Sequence, residues 1–395
     1  MASALLGHSS VGQPNTIDEP VPSIRKRSWV GPKGDDRTAW QVDYRDQGGA
    51  RRSKQFARKK DAEAWLVGAA WQVQQGTHTA DSQSITVDQA CKLWLERGAS
   101  ENLEQSTLQG YEARVRLHIR PLIGAEKLSR LTRPQVEGFA DKLVETRGKA
   151  MAVMVMRALS SAIGDAQRRG LVAQNVAAGV RIKRPARDRE RVEIPTKDEL
   201  RAVLKAADDR ERPIIMTAIF TGLRGSELRG LRWSDIDLQS GRVTVSQRAD
   251  AWNEIGSPKS AAARRSIPLP PALVAELKRW KLACPNGKLD LAFPNGVGKV
   301  ETHSNLLQRV IGPLQVRAGV TEPDKDGEPT WRYGLHSFRH AAASMWIERS
   351  IDAKRVQTWI GHSSIQLTFD TYGHLFEAAA SDAAVASAIE AELMA

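Results

Sequence analysis

Hydrophobic and polar positions change their period several times along the chain. Between Ile24 and Gly76, Trp40, Val42 and Tyr44 alternate with Gln41, Asp43 and Arg45, the period of two that marks a half-buried strand. A Gly-containing turn at Asp46–Gly49 leads into a second strand through Phe56, and a shorter strand is expected around Ile24–Val30. From about Lys60, Ala62, Trp65, Leu66, Ala69 and Val73 fall on one helical stripe. A three-stranded sheet with one face covered by a helix is therefore predicted. From Thr86 the period becomes helical. Thr86 with Gln89 makes a capping box ahead of Ala90, Leu93 and Trp94. A second helix is expected from Ser106, carrying Tyr111, Val115 and Ile119 and ended by Pro121 and Gly124. Thr132 with Gln135 opens a third, to about Thr146, and Met151, Met154 and Leu159 belong to a fourth ending near Gly170. The run MAVMVM reads as packing between helices.

The aperiodic stretches divide the chain. Residues 1–23 read as a mobile leader, 24–76 as the small sheet module, 77–85 as a polar linker and 86–183 as the helical bundle. The Pro-bounded, charged segment RPARDRERVEIP, residues 184–195, reads as a second linker. Thr196 and Glu199 cap the first helix of a larger domain, 196–374, in which DIDL, RVTVSQ and RSIPL are strand-like between flanking helices. Residues 375–395 form an Ala-rich tail with Glu377, Asp382, Glu390 and Glu392 and no base, suited to docking on protein. The fold class expected is multidomain, mainly α with small β-sheets: a sheet plus helix, a helical bundle, and a mixed α+β domain.

Charge adds a partner to this picture. The 395 residues hold 58 Lys or Arg against 46 Asp or Glu, a net charge of +12 with a pI near 9.8. Apolar residues make up 41%, too many for a disordered chain, and no apolar run is long enough to span a membrane. The amino terminus has no basic, apolar export signal. Cys91 and Cys284 are too few for a disulfide framework and suit a reducing cytoplasm. Residues 24–76 hold 12 bases and 6 acids, half of the excess charge, densest at Arg51, Arg52, Lys54, Arg58, Lys59 and Lys60. Alone such a run is a solvated face; on a sheet whose apolar side is already covered, it is a surface for double-stranded DNA.

Nucleotide motifs fail. The pairs Gly148-Lys149, Gly287-Lys288 and Gly298-Lys299 lack both the first P-loop glycine and the following Ser or Thr, and GVGKVE lacks the third glycine of a dinucleotide fingerprint. Other strings carry chemistry together. TGLRGSELRGLRW places Arg224 just after an apolar helix, with Glu227 three residues on. SPKSAAARRSIPL sets Lys259 in a hairpin between two strands, with Arg264 and Arg265 as further bases. LHSFRH gives His336 and Arg339 on one face of a helix turn, and WIGHSSIQLTFDTYGH gives His362 and, ten residues later, Tyr372.

Arg, Lys, HxxR, GHSS and the Tyr of DTYGH, in that order, resemble the tyrosine recombinase family, and in particular phage-type integrases. The resemblance covers the helical and carboxy-terminal domains, and the basic sheet module resembles the arm-site DNA-binding module that many integrases carry. It implies a site-specific recombinase that cuts and rejoins DNA through a 3′-phosphotyrosine and a Holliday junction, as a homotetramer on core and arm sites. A directionality factor and a DNA-bending host protein are possible further partners, and no cofactor is implied. Elementary chemistry agrees. Arginine forks match phosphate oxygens and stay charged, so Arg224 and Arg339 suit the two non-bridging oxygens. Tyr372 is a fit covalent nucleophile whose ordinary pKa near 10 calls for help with its proton. The resemblance gives Lys259 the proton for the leaving 5′ oxygen, His336 the assistance at the tyrosine, His362 a hydrogen bond to the phosphate, and Glu227 the support of the arginine and histidine side chains. A bond stored on tyrosine can be rejoined nearly isoenergetically, which accounts for the missing ATP motif. His336 and His340 also have the i, i+4 spacing of a zinc pair, with His362 and His374 in reserve, but no HExxH glutamate accompanies them and the neighbouring arginines would repel a cation. Resolution of chromosome or plasmid dimers is the alternative within this chemistry, and a non-catalytic DNA-binding regulator the alternative outside it.

Overall fold

The computed structural model describes residues 22–32, 34–46, 48–75, 78–81, 84–182, 193–258, 263–379 and 382–394. Most of the expected leader, most of the second linker and Lys259 lie outside these residues. The chain divides into two compact units, residues 1–187 and 188–395.

The first unit opens with an antiparallel sheet of β1 (Ser23–Val30), β2 (Asp36–Arg45) and β3 (Arg51–Phe56), in that order. Helix α1 (Lys59–Gln74) lies on one face, its Trp65 meeting Tyr44 edge-on at 5.0 Å between ring centroids and tilted against Phe56 at 5.6 Å. The pairing Tyr44–Arg52 and Val42–Lys54 puts Arg52 and Lys54 on this covered face, whereas Asp43–Ser53 and Arg45–Arg51 put Arg51 on the open one. The six bases of the densest cluster therefore do not share a surface. Arg52 pairs with Asp46, Lys54 with Asp81, Arg58 with Asp61 and Lys59 with Glu63. Arg25, Arg27, Arg45 and Arg51 line the open face, around Asp43. Strand alternation, which sends neighbours to opposite faces, is the reason.

Between α1 and α2 (Val87–Ser100), His78, Thr79 and Asp81 are each tied to neighbouring elements. His78 Nε2 lies 3.0 Å from the Tyr44 hydroxyl, and Thr79 Oγ1 accepts from the Ala173 amide at 2.9 Å. Asp81 accepts from Lys54 (2.9 Å), Ser129 (2.7 Å) and Arg130 (3.0 Å), so one carboxylate ties the sheet to the bundle. The bundle continues with α3 (Gln105–Arg114), a π-type turn over Val115–Ile119, α4 (Arg120–Ile123) and the long α5 (Arg133–Arg168). Both capping boxes form as expected. Helix α3 begins one residue before Ser106, and Pro121 does not end it. Proline sits in the first turn of α4, where its missing N–H leaves no partner wanting. The expected third and fourth helices meet without a loop at Gly148, whose φ of 77° kinks α5 there.

The second unit starts with α6 (Lys197–Ala206), its Thr196–Glu199 box complete, the almost wholly buried α7 (Glu211–Thr221) and the short α8 (Gly225–Arg229). A small antiparallel sheet follows, β4 (Ile236–Asp237) beside β5 (Arg242–Val245) beside β8 (Arg265–Pro268). Between β5 and β8 the chain makes a second hairpin, β6 (Arg248–Ala249) with β7 (Ile255–Gly256), so the stretch leading to Lys259 is longer and more structured than a plain turn. Buried Arg229 stitches that hairpin down, donating to the carbonyls of Asp250 and Glu301. Helix α9 (Pro271–Ala283), α10 (His303–Asn305), a π-type turn over Leu306–Ile311, α11 (Gly312–Arg317) and the hairpin β9 (Thr321–Pro323) with β10 (Pro329–Trp331) close the core. Helices α12 (Leu335–Glu348), α13 (Ala353–Ile360) and α14 (Ile365–Ala379) then pack together around Ala343, Ile347, Val356, Ile360 and Tyr372. Helix α14 runs past His374 into the stretch expected to be tail, and α15 (Asp382–Met394) follows with Ile389, Leu393 and Met394 exposed. Among the described residues no helix is long and apolar enough to cross a membrane.

Replacing Asp81 by Ala is expected to raise the rate of limited proteolysis between α1 and α2 several-fold while leaving the far-ultraviolet helical signal unchanged. An unchanged cleavage rate would show that Asp81 does not hold that segment.

Candidate active site

Six of the seven side chains expected at the site come from four places in the second unit: the α7–α8 junction (Arg224, Glu227), the first turn of α12 (His336, Arg339), the residue after the α13 cap (His362) and the middle of α14 (Tyr372). The seventh, Lys259, is outside the described residues. Gly222 ends α7 in the left-handed conformation, and Gly361 ends α13 the same way, with φ of 58° and 70°. A Cβ at Gly361 would lie 2.9 Å from an Arg265 nitrogen, so the arginine and the turn fit only with glycine there.

The last carbonyls of a helix have no partner within it and carry its negative end. At the end of α13 three arginines take three successive ones. Arg265 Nε donates to Trp359 O at 2.6 Å, Arg339 Nη2 to Ile360 O, and Arg224 Nη2 to Gly361 O at 2.7 Å. Arg339 also donates through Nη1 to Gly222 O at 2.7 Å, joining the two glycine-ended turns. Glu227 sits beneath them with 3% of its side chain exposed. It accepts both Nη groups of Arg265 at 3.0 and 2.8 Å, and Arg224 Nη1 at 2.8 Å. Its second oxygen also accepts the Arg224 backbone amide at 2.8 Å, capping α8. Burial alone would raise the Glu227 pKa, but the hydrogen bonds and charge of Arg265, with the charge of Arg224, bring it down to about 2.

Three guanidiniums thus face one carboxylate, and the site keeps two positive charges uncompensated. Arg265 is used up by Glu227 and Trp359, whereas Arg224 is 36% exposed and Arg339 has spent only two of its five N–H groups on carbonyls. Burial, Arg224 and Arg265 push the Arg339 pKa down to about 9, which still leaves it cationic at neutral pH.

Tyr372 is 1% exposed, inside the cluster formed by α12, α13 and α14. Burial raises its pKa to about 12 against the opposing pull of Arg339. Its hydroxyl lies 2.7 Å from Nδ1 of His340. This contact belongs to His340, four residues after His336. One turn further along α12 the side chain points inward, while His336 is exposed and meets the His340 ring edge-on at 4.6 Å. The half-buried His362 ring is parallel to Tyr372 at 6.2 Å and places Nδ1 3.0 Å from Thr368 Oγ1. Burial and the nearby cations lower all three imidazoles, His340 and His362 to about 4, so they are neutral at pH 7. Among the described residues no three His, Cys, Asp or Glu side chains gather as metal ligands.

Two residues of the site are hard to read from the sequence. Arg265 reads only as a base near Lys259, and nothing in the string shows that it turns inward. His340 reads as half of a zinc pair. Its position four residues after His336 and next to Arg339 was the available signal.

The fold is that of solved tyrosine recombinase integrases. A Tn1549 transposon integrase in complex with transposon right end DNA superposes with a TM-score of 0.61 at 20% identity, covering 79% of this chain and all of that one. A lambda integrase tetramer bound to a Holliday junction gives 0.54 at 19%, covering 85% and 95%. The phage integrase family model matches residues 194–379, and the phage integrase N-terminal SAM-like domain matches 86–144, together more than half of the chain. Among curated proteins, a XerC-like tyrosine recombinase of Caldanaerobacter subterraneus subsp. tengcongensis is 26% identical over 84% of this chain and 90% of its own length. Tyrosine recombinase XerC of Xylella fastidiosa is 28% identical over 72% and 89%. The chain belongs to the phage integrase family of tyrosine recombinases, which are site-specific DNA recombinases.

Two outcomes follow from the Glu227 linkage. A carboxyl whose folded pKa lies near 2, below its free value of 4.5, contributes stability that is complete above about pH 4.5 and is lost as pH falls toward 2. In urea unfolding between pH 6 and 3, the wild type should weaken through this window more than Glu227→Gln does. At pH 7 the Gln variant, which leaves buried Arg265 unpaired, should be less stable by about 3–5 kcal/mol.

Proposed function

We propose that the protein is the integrase of a phage or other mobile element, cutting and rejoining double-stranded DNA through a phosphotyrosine and exchanging strands through a Holliday junction as a tetramer. The observation that carries this reading is the excess of two positive charges around a tyrosine that packs against the same turns. A phosphodiester brings a negative charge and two non-bridging oxygens to such a site, and forks of N–H groups meet them bidentately. Arg224, partly exposed, and the unspent N–H groups of Arg339 grip those oxygens. Neutral His336 and His362 add hydrogen bonds at its edge, Glu227 holds Arg224 in place, and Tyr372 supplies the attacking oxygen. Lys259 protonates the 5′ oxygen that leaves. No ion or nucleotide enters these steps.

The open, arginine-lined face of the amino-terminal sheet supports binding to a separate arm site, and the arginine site of the second unit supports binding to the core site. A bacterial cytoplasm is the compartment such a partner implies. The acidic α15, with Ile389, Leu393 and Met394 exposed, suits docking on a neighbouring protomer. Relatives named XerC favour a second reading, resolution of chromosome or plasmid dimers. The sheet module ahead of residue 77 and the likeness to a transposon integrase favour integration. DNA flanking the gene separates the two, since an integrase should recombine an attachment site found there.

With a nicked suicide substrate, the wild type should form a covalent adduct on a denaturing gel, equally in EDTA. Tyr372→Phe should form none while binding the same DNA within about twofold. Binding should also weaken linearly on a plot of log affinity against log salt as phosphate counterions are released. An adduct that survives in Tyr372→Phe, or cleavage that EDTA abolishes, overturns the reading.

A further inference from the structure

The Tyr372 hydroxyl does not face the exposed histidine of the HxxR pair. It faces His340, a buried side chain to which the chemistry above gives no part. We infer that His340 is the proton acceptor for Tyr372, a further catalytic residue of this site; the inference rests on the reading of Tyr372 as the nucleophile.

The geometry is that of a nucleophile and its base. Oη and Nδ1 are 2.7 Å apart, within the range for a hydrogen bond from a phenol, and both groups are buried. His340 is held in register by its helix: Arg339, one residue before it, is pinned at both terminal nitrogens, and the His336 ring packs edge-on against it at 4.6 Å. The charged and titratable groups facing it are His336 and Arg339 from α12, His362 from the end of α13, and Tyr372 from α14. Burial first, then His336 and Arg339, keep the imidazole neutral at working pH, so that Nδ1 has a lone pair to offer. A bound phosphodiester adds a negative charge beside Arg339, offsetting the repulsion that an imidazolium would otherwise meet.

In the step itself the electron pair of the phenolic O–H bond becomes the new O–P bond, and its proton passes to Nδ1. The P–O5′ bond breaks with its pair remaining on O5′, which takes a proton from Lys259. In religation the incoming 5′ hydroxyl returns its proton to the Lys259 amine as it attacks phosphorus, and the departing phenolate recovers its proton from His340. Nothing is oxidised or reduced, and no co-reactant is needed.

The test uses the full chain, the nicked suicide substrate, and adduct formation timed between pH 6 and 9.5. His340→Ala should bind DNA within twofold of wild type yet form adduct at least about 100-fold more slowly at pH 7. The deficit should shrink as pH rises, because hydroxide then takes the proton. Added imidazole should restore part of the rate, and a side chain that served only packing would give no such rescue. His340→Asn keeps a hydrogen-bond acceptor and much of the volume but has no basic nitrogen. It should be slow with the same pH dependence, and it carries the test if the Ala variant does not fold. Adduct formation at or above the wild-type rate in either folded variant overturns the proposal, as does a slow rate that neither pH nor imidazole changes. If Tyr372→Phe still forms adduct, the nucleophile assignment has failed instead. An adduct lost in Tyr372→Phe but unaffected in the His340 variants refutes His340 alone.

Discussion

The second unit is organised around the carboxyl end of one two-turn helix. Three backbone carbonyls in a row, those of Trp359, Ile360 and Gly361, are each taken by a different arginine. The arginines come from β8, α12 and the α7–α8 junction, segments with no sequence proximity. Concentrating three cations so closely is tolerable only because the helix end is itself electronegative and because Glu227 lies beneath. The outcome is a rigid frame in which one arginine is structural, two retain donors, and His362 leaves the turn at a fixed point.

The frame also explains why the chemistry needs burial. Desolvation holds the imidazoles neutral and the phenol protonated, so the resting site stores neither a general acid on histidine nor a phenolate. Its only net charge is guanidinium, whose protonation survives that environment. A site of this kind is electrostatically incomplete until an anion enters.

Much of this was legible in the chain. Period-two alternation around Trp40–Tyr44 and the capping boxes at Thr86, Thr132 and Thr196 located their elements because those signals are local. The strings around Arg224, Arg339, His362 and Tyr372 stood out because their order is specific, and the fold brings those residues together. What escaped depended on direction in space. Arg265 stands on a strand whose inward face cannot be told from its outward one when both carry bases, and His340 competes with His336 for the same helix turn. The basic run at Arg51–Lys60 looked like one patch, yet pleating divides it, and Asp46, Asp61, Glu63 and Asp81 occupy four of its six members. The junction at Gly148 was invisible for the opposite reason, since a single residue of unusual φ breaks a helix without leaving a loop.

The near-complete occlusion of Tyr372 has a bearing on life inside a genome. A DNA-binding protein slides past thousands of backbone phosphates for each one it ought to cut, and every one of them fits a guanidinium. With its phenol withdrawn among α12, α13 and α14 and only 1% exposed, Tyr372 offers nothing to a phosphate that merely passes along the surface.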